Sequence, residues 1–340
     1  NGAKVLEGPV PDWRKFGMPN YGTGGSMGSI LGLPRFDTAE FEARFPFGKV
    51  SLTDKEMPVR VTVLGWSPFI PGDPDNSSLP VGGLEYVLEN TSTKPQEMIF
   101  SYHARNFLSW GKGVDAIKVM PHGFVLSQAG TEAEPHLQGD FAIFTDEDSP
   151  KINYCWFRGG WFDSLTMVWN AIESGLMPQS PAVEKGAPGA SIFIPVTLMP
   201  GDKKTIRIYT AWYVPCSTLR IGEEPEDWND NNVAPATLAL ERADQGNYKP
   251  WYSSRFAGID EVIDYLLTHY KTLREQTEKF TESFYRSTLP SEVIEAVSAN
   301  LSILKSPTVM RQYDGRLWTW EGCADNWGSC HGSCTHVWNY

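Results

Sequence analysis

Short runs of alternating apolar and polar residues fill the chain from about residue 45 to residue 215. Val59–Val63 alternates cleanly. Similar runs follow at Leu84–Leu88, Gln96–Tyr102, Phe124–Leu126, Phe141–Phe144, Ile192–Val196 and Thr205–Tyr213. Many short runs separated by Gly, Pro and Asn are typical of an antiparallel β-sandwich. The pattern therefore predicts a mainly β fold for this part of the chain.

The segments between these runs carry turn signals. The cluster Glu89–Pro95 predicts a turn, and Gln96–Tyr102 is then expected to return beside the preceding strand. Met199–Asp202 contains a Pro-Gly pair and predicts a tight hairpin turn. We expect a short helix within residues 161–176, lying on the sandwich.

The apolar period changes near residue 256, where helical spacing replaces alternation. The apolar positions of the first helix are Ile259, Val262, Ile263, Leu266, Leu267, Tyr270 and Leu273. This helix is predicted to run to about Tyr285. A second apolar stripe follows Pro290 at Val293, Ile294, Val297, Leu301 and Leu304. Asp314-Gly315 then predicts a turn between two short extended runs.

The chain of 340 residues is long enough for two domains. We predict an N-terminal β-sandwich over residues 1–250. Residues 251–340 are predicted to form a linker helix and the opening of a helical domain. The apolar pattern is still running at Tyr340, so we expect the chain to be a piece of a longer protein.

The net charge of −12 and the pI of about 5.0 exclude some classes of partner. An acidic surface repels phosphates, so we expect neither nucleic acid nor an anionic membrane as a partner. No apolar run approaches the roughly 20 residues of a membrane-spanning helix. The 13 Trp residues are a high number. Their flat apolar faces suit either a sugar ring or a large core.

Glu321 is the sharpest candidate for catalysis. It follows Trp318 and Trp320 and precedes Gly322. A glycosidase needs a carboxylate beside aromatic walls, where it can attack the anomeric carbon or stabilise an oxocarbenium-like transition state. The alternative is a surface Glu beside a hairpin.

Four further residues near the C-terminus are candidates for sugar binding. His336 and Asn339 could bind sugar hydroxyls, and Trp320 and Trp338 could stack on a sugar ring. The alternative is that residues 336–340 begin a buried helix.

Metal and cofactor sites are weaker interpretations, and we predict neither. Cys323, Cys330 and Cys334, with His331 or His336, could bind zinc, but their spacing is not that of common zinc sites, and packed thiols are the alternative. The loop Asp73–Ser78 could hold Ca²⁺ or could be an Asx-rich turn. The Gly-rich residues 21–28 lack the flanking strand and helix of a phosphate-binding loop.

The chain resembles the family-116 glycoside hydrolases, which include the non-lysosomal glucosylceramidases and bacterial β-glucosidases. The matching segments span nearly the whole chain. They are Arg44–Phe47, Trp66–Asp73, Asn76–Val81, Leu84–Tyr86, Trp251–Ser254, Asp314–Arg316, Trp320–Gly322 and Cys334–Tyr340.

This resemblance implies an N-terminal β-sandwich followed by an (α/α)6 toroid that holds a retaining β-glycosidase site. Glu321 matches the family's nucleophile. About eleven residues after it the family often has a sugar-binding Asp, and His336, fifteen residues after Glu321, is the nearest match. The family's acid/base is an Asp, and the resemblance implies that it lies beyond Tyr340. We therefore expect a β-glycoside substrate and no activity without the remaining toroid sequence. The alternative is a non-catalytic sandwich that binds carbohydrate or braces a toroid.

Overall fold

The computed structural model describes residues 2–11, 31–109, 115–132, 134–216, 249–306 and 309–319. The strands in these ranges are β1 (Thr38–Arg44), β2 (Phe47–Thr53), β3 (Val59–Trp66), β4 (Val81–Asn90), β5 (Gln96–Arg105), β6 (Asp115–Met120), β7 (Gly123–Gln128), β8 (Gly139–Thr145), β9 (Lys151–Asn153), β10 (Gly189–Leu198), β11 (Lys203–Tyr213), β12 (Val309–Arg311) and β13 (Leu317–Thr319). The helices in these ranges are α1 (Pro74–Ser77), α2 (Ser164–Glu173), α3 (Tyr252–Arg255), α4 (Ile259–Tyr285) and α5 (Ser291–Leu301), with 3₁₀ turns at Pro135–Leu137 and Ser302–Lys305.

Two antiparallel sheets face each other across one core, which confirms the mainly β prediction. In the described residues the larger sheet has the order β1-β2-β3-β4-β11-β8-β7-β6, and the smaller has the order β5-β10-β9. The side chains between them include Leu88 and Ile208 from the larger sheet and Phe100 and Ile192 from the smaller one. The sheets are unequal, and the sandwich is open rather than closed into a barrel.

Two of the predicted hairpins are wrong, because both turns join different sheets. β5 follows the turn after β4 but pairs with β10, and the turn at Met199–Asp202 connects β10 to β11 without pairing them. The second turn itself is tight, since Asp202 N donates to Met199 O at 3.0 Å. Local sequence specifies that the chain reverses, but not which strand receives the returning segment.

Asn90 forms hydrogen bonds with both of these turns at one end of the sandwich. Its side chain is 1% exposed, and its Nδ2 donates to Lys94 O at 2.8 Å and to Leu198 O at 3.0 Å. Gly201 N donates to Asn90 O at 3.0 Å. A buried amide must be hydrogen-bonded, so both turns are needed to satisfy this residue.

A second core lies on the opposite face of the larger sheet, against the first half of α4. Val262 and Leu266 pack there on Val81, Ala211 and their neighbours. The predicted helix is therefore confirmed, and so is most of its apolar stripe. Leu267 is an exception, because it is 50% exposed. Leu267 is one residue, about 100° around the helix, from buried Leu266, so its side chain points away from the sheet.

α5 and a short antiparallel hairpin, β12–β13, follow α4. Both were predicted, the helix from its apolar stripe and the hairpin from Asp314-Gly315. The (α/α)6 toroid and the domain boundary after residue 250 stay predictions. Among the described residues, none of the helices has both the length and the apolar character that a membrane crossing requires.

Candidate functional site

The five predicted site residues lie outside the described residues. They are Trp320, Glu321, His336, Trp338 and Asn339. The alternative zinc ligands Cys323, Cys330, His331 and Cys334 lie outside them as well. The structure describes the chain up to Thr319, two residues before Glu321. It therefore shows how the chain is held just before the candidate nucleophile.

The β12–β13 hairpin forms that last described segment. Arg311 pairs with Leu317, and Val309 pairs with Thr319. Gly315 has a φ of 91°, a left-handed conformation that glycine adopts at little cost. Gln312 N donates to Arg316 O, and Gly315 N donates to Gln312 O, both at 2.8 Å. The Asp-Gly pair thus closes the turn that the sequence predicts.

Three residues, which we call the hairpin clamp, fix this hairpin to the sandwich: Asp75, Trp251 and Arg311. Arg311 Nη1 donates to Asp75 Oδ1 at 2.8 Å, and its guanidinium lies 4.2 Å from the centre of the Trp251 ring. Trp251 N donates to Arg311 O at 2.8 Å. Arginine is suited to this position because it can pair with a carboxylate and stack on an aromatic face at once.

The loop that carries Asp75 is an Asx-capped turn, which was the alternative to a Ca²⁺ loop. Asp73 Oδ1 accepts from Asn76 N at 3.0 Å and caps α1. Asn76 Oδ1 accepts from Tyr265 OH at 2.8 Å, and Asp75 Oδ2 accepts from Arg255 Nη1 at 3.3 Å. These oxygens are therefore engaged with protein donors from α1, α3 and α4.

Lys305 adds a further contact between the same loop and the chain before the hairpin. Its Nζ donates to Ser77 O. Burial disfavours the charged ammonium and lowers the Lys305 pKa to about 8. Sequence reasoning identified the Asp73–Ser78 loop but missed Lys305 and Arg311 as its partners. No local signal marks them, since Arg311 is 236 positions from Asp75.

Exposed aromatic side chains occupy the loop after β9. Trp161 is 95% exposed, Phe162 62% and Phe157 41%. The loop is held at both ends: buried Trp156 donates from Nε1 to Ser191 Oγ at 2.8 Å, and Asp163 caps α2 through Thr166 N at 2.9 Å. The aromatic loop and the Asp73–Ser78 loop lie at the same end of the sandwich, opposite the end where Asn90 lies. This follows from the directions of the paired strands.

Three solved structures illustrate the structural likeness of the chain. A protein described as a kojibiose phosphorylase from the human microbiome has a TM-score of 0.36 and 13% identity, with 73% of this chain and 26% of that chain covered. A TPR-domain protein from Parabacteroides distasonis has a TM-score of 0.26 and 12% identity, with 86% and 59% covered. A family GH92 α-mannosidase from Bacteroides thetaiotaomicron has a TM-score of 0.22 and 7% identity, with 81% and 28% covered. These TM-scores are too low to indicate function.

Sequence comparison is more informative. No curated protein matches the chain. The family described as beta-glucosidase 2, glycosyl-hydrolase family 116 N-term, matches residues 2–273, which is most of the chain. The match includes both sheets, the Asp73–Ser78 loop and the first half of α4. The chain therefore belongs to glycosyl-hydrolase family 116 and carries the N-terminal domain of that family.

Proposed function

We propose that this chain is part of a retaining β-glycoside hydrolase and that Glu321 is its nucleophile. The family match over residues 2–273 carries the proposal. The chain then continues through a clamped hairpin to a carboxylate preceded by Trp320. The name of the matched family favours a β-glucoside as the substrate.

The proposed chemistry needs two carboxyl groups. In retaining glycosidases these lie about 5–5.5 Å apart, one attacking the anomeric carbon while the other donates a proton to the leaving oxygen. Glu321 would form the covalent glycosyl-enzyme, which water then hydrolyses with the second group acting as base. The family resemblance assigns that second role to an Asp beyond Tyr340. The nearby Asp325 is a local acid and a poor substitute for a carboxylate from another part of the fold.

The direct test is a Glu321→Gln substitution in the full-length protein. We expect kcat on an aryl β-glucoside to fall by about 10⁴-fold or more, because no covalent intermediate can form. Exposed Glu292 on α5 provides the matched control, and Glu292→Gln should leave kcat unchanged. A 2-fluoro glucoside should label Glu321 in the wild type, as read by peptide mass spectrometry. Wild-type activity in Glu321→Gln would refute the assignment.

The isolated 340-residue chain is expected to be inactive, because a nucleophile without its acid/base cannot complete the reaction. Hydrolysis of an aryl β-glucoside by the purified chain provides the measurement. Turnover close to that of the full-length enzyme would show that the second carboxyl group lies within residues 1–340.

The exposed aromatic loop favours a second candidate function, a carbohydrate-binding sandwich without chemistry of its own. Trp161 and Phe162 offer flat apolar faces on a loop fixed at both ends. Under this alternative Trp161→Ala would abolish binding of β-glucan oligosaccharides in calorimetry, and the fluorinated glucoside would label no residue of the full-length protein. Labelling at Glu321 would instead support the hydrolase.

A further inference from the structure

The β12–β13 hairpin is too small to hold its own position. Each strand has three residues, and they pair only with each other among the described strands. An isolated two-stranded hairpin is at best marginally stable in water. Its placement therefore depends on contacts with the rest of the molecule.

Those contacts come from the sandwich side of the molecule and from the segment just before α4. Asp75 belongs to the loop between β3 and β4, and Trp251 precedes α3. Pro250 also forms an isolated antiparallel bridge with Gln312. Arg311 is the residue on which these contacts converge, through its guanidinium, its carbonyl oxygen and its neighbour in the chain.

The hairpin in turn limits where Glu321 can lie. Glu321 is two residues beyond Thr319, the end of β13. Two extended residues span at most about 7 Å, so the Glu321 Cα must lie within that distance of the Thr319 Cα. Any shift of the hairpin therefore moves the starting point of the segment that carries the carboxylate.

We propose that Asp75 and Arg311 are positioning residues of the glycosidase. Their ion pair, stacked on Trp251, sets the place to which the hairpin delivers Glu321. The inference depends on the function proposed above, since it assigns the clamp to the same reaction. A misplacement of a reacting group by about 1 Å can cost roughly 10²-fold in rate, so a small hairpin shift is enough to matter.

Loss of the Asp75–Arg311 ion pair should lower the turnover rate more than the stability of the protein. The Asp75 side chain is 47% exposed and the Arg311 side chain is 14% exposed, so the pair is only partly open to water and its loss should cost about 1–2 kcal/mol of stability. Loss of the pair should therefore leave the protein folded. The loss of the pair should lower kcat per active site rather than the number of active sites.

The test uses Asp75→Asn, Arg311→Gln and the double variant in the full-length enzyme. Active-site titration with a 2-fluoro glucoside counts competent sites, so kcat can be given per site. We expect each single substitution to lower kcat per site about 10- to 100-fold, with KM changed less than about threefold. The double variant should resemble Arg311→Gln, which removes the ion pair, the stacking on Trp251 and the Nε hydrogen bond to Gly315 O at 3.1 Å, because Asp75→Asn removes only the first of these.

Arg255→Gln is the matched control. It removes the second partner of Asp75, at 3.3 Å, and a guanidinium 5.7 Å from the centre of the Trp251 ring, while Arg311 keeps its contacts with Asp75 and Trp251. We expect a smaller fall in kcat per site than in Arg311→Gln, at a similar change in Tm. The inference is overturned if Arg311→Gln keeps kcat per site within about twofold of the wild type, or if Arg255→Gln lowers it equally. Failure of the Glu321 assignment would appear separately, as activity in Glu321→Gln.

Discussion

His103 on β5, in the smaller sheet, has a hydrogen-bond partner at each of its ring nitrogens. Its Nδ1 lies 2.7 Å from Ser191 Oγ, and its Nε2 lies 2.8 Å from Ser101 Oγ. The Phe193 ring packs edge-on at 5.6 Å. Burial disfavours the charged imidazolium and lowers the His103 pKa from 6.5 to about 4. The neutral ring is therefore part of the folded structure.

Stability should consequently depend on pH in acid. The unfolded chain protonates His103 near pH 6.5, whereas the folded chain resists protonation until about pH 4. The stabilising contribution is therefore complete above pH 6.5 and is lost as the pH falls toward 4. Integrated over this window, the loss amounts to at most about 3 kcal/mol. Urea unfolding at several pH values gives the measurement.

His103→Gln retains hydrogen-bonding capacity but cannot titrate, so it should flatten the pH dependence between 6.5 and 4. His122, which is exposed and has a φ of 58°, supplies the control. His122→Asn should keep the wild-type slope, since Asn tolerates this backbone conformation. An unchanged slope in His103→Gln would assign the acid sensitivity to another group.

At the scale of elements, α4 is joined to the larger sheet by polar as well as apolar contacts. Tyr270 OH and Arg274 Nε both donate to Glu85 Oε1 at 2.9 Å. The Arg274 guanidinium also lies 4.6 Å from the centre of the Phe47 ring. The Glu85 and Arg274 side chains are only 15% and 17% exposed. Removal of the carboxylate would leave a cation with little access to water.

We expect Glu85→Gln to destabilise the protein by about 2–3 kcal/mol, because the largely buried Arg274 loses the nearer of its two carboxylate partners and keeps only the exposed Glu278, at 3.3 Å. Glu275→Gln is the control on the same helix. Glu275 pairs with Lys271 at 3.8 Å, and both side chains are mostly exposed, so its loss should cost less than about 0.5 kcal/mol. Equal losses of Tm in the two variants would contradict this account of how α4 is held.

At the scale of the whole molecule, α5 presents an apolar face that the described residues leave open. Leu289, just before the helix, is 52% exposed, and Val293 and Val297 are 42% and 40% exposed. Exposed apolar stripes at helical spacing promote association unless another element covers them. That further toroid helices cover this face of α5 stays a prediction.

The isolated chain should therefore self-associate, and Val293→Gln with Val297→Gln should reduce that association. Light scattering over a concentration series measures it. Phe41→Gln, at a residue 68% exposed on β1, is the control for simply lowering surface hydrophobicity. The same double substitution should lower the Tm of the full-length protein. If it leaves both association and Tm unchanged, α5 has no apolar partner.

Individual residues show where sequence reasoning succeeds. Val262 and Leu266 were expected on the buried face of a helix and are buried there, while Leu267, one position further, is half exposed. Asp314-Gly315 was expected to form a turn and forms one. The partner of β5 was predicted wrongly, since it is β10 and not β4. Glu321 and its aromatic neighbours stay predictions.

The sequence by itself determined the type and approximate place of most elements, because alternation, helical spacing and turn residues act over a few neighbouring positions. Only the tertiary structure decided that the two turns joining the sheets meet at Asn90 and that Arg311 forms an ion pair with Asp75. Such contacts join segments more than a hundred residues apart. They arise only when independent elements pack into one core, so no local pattern encodes them.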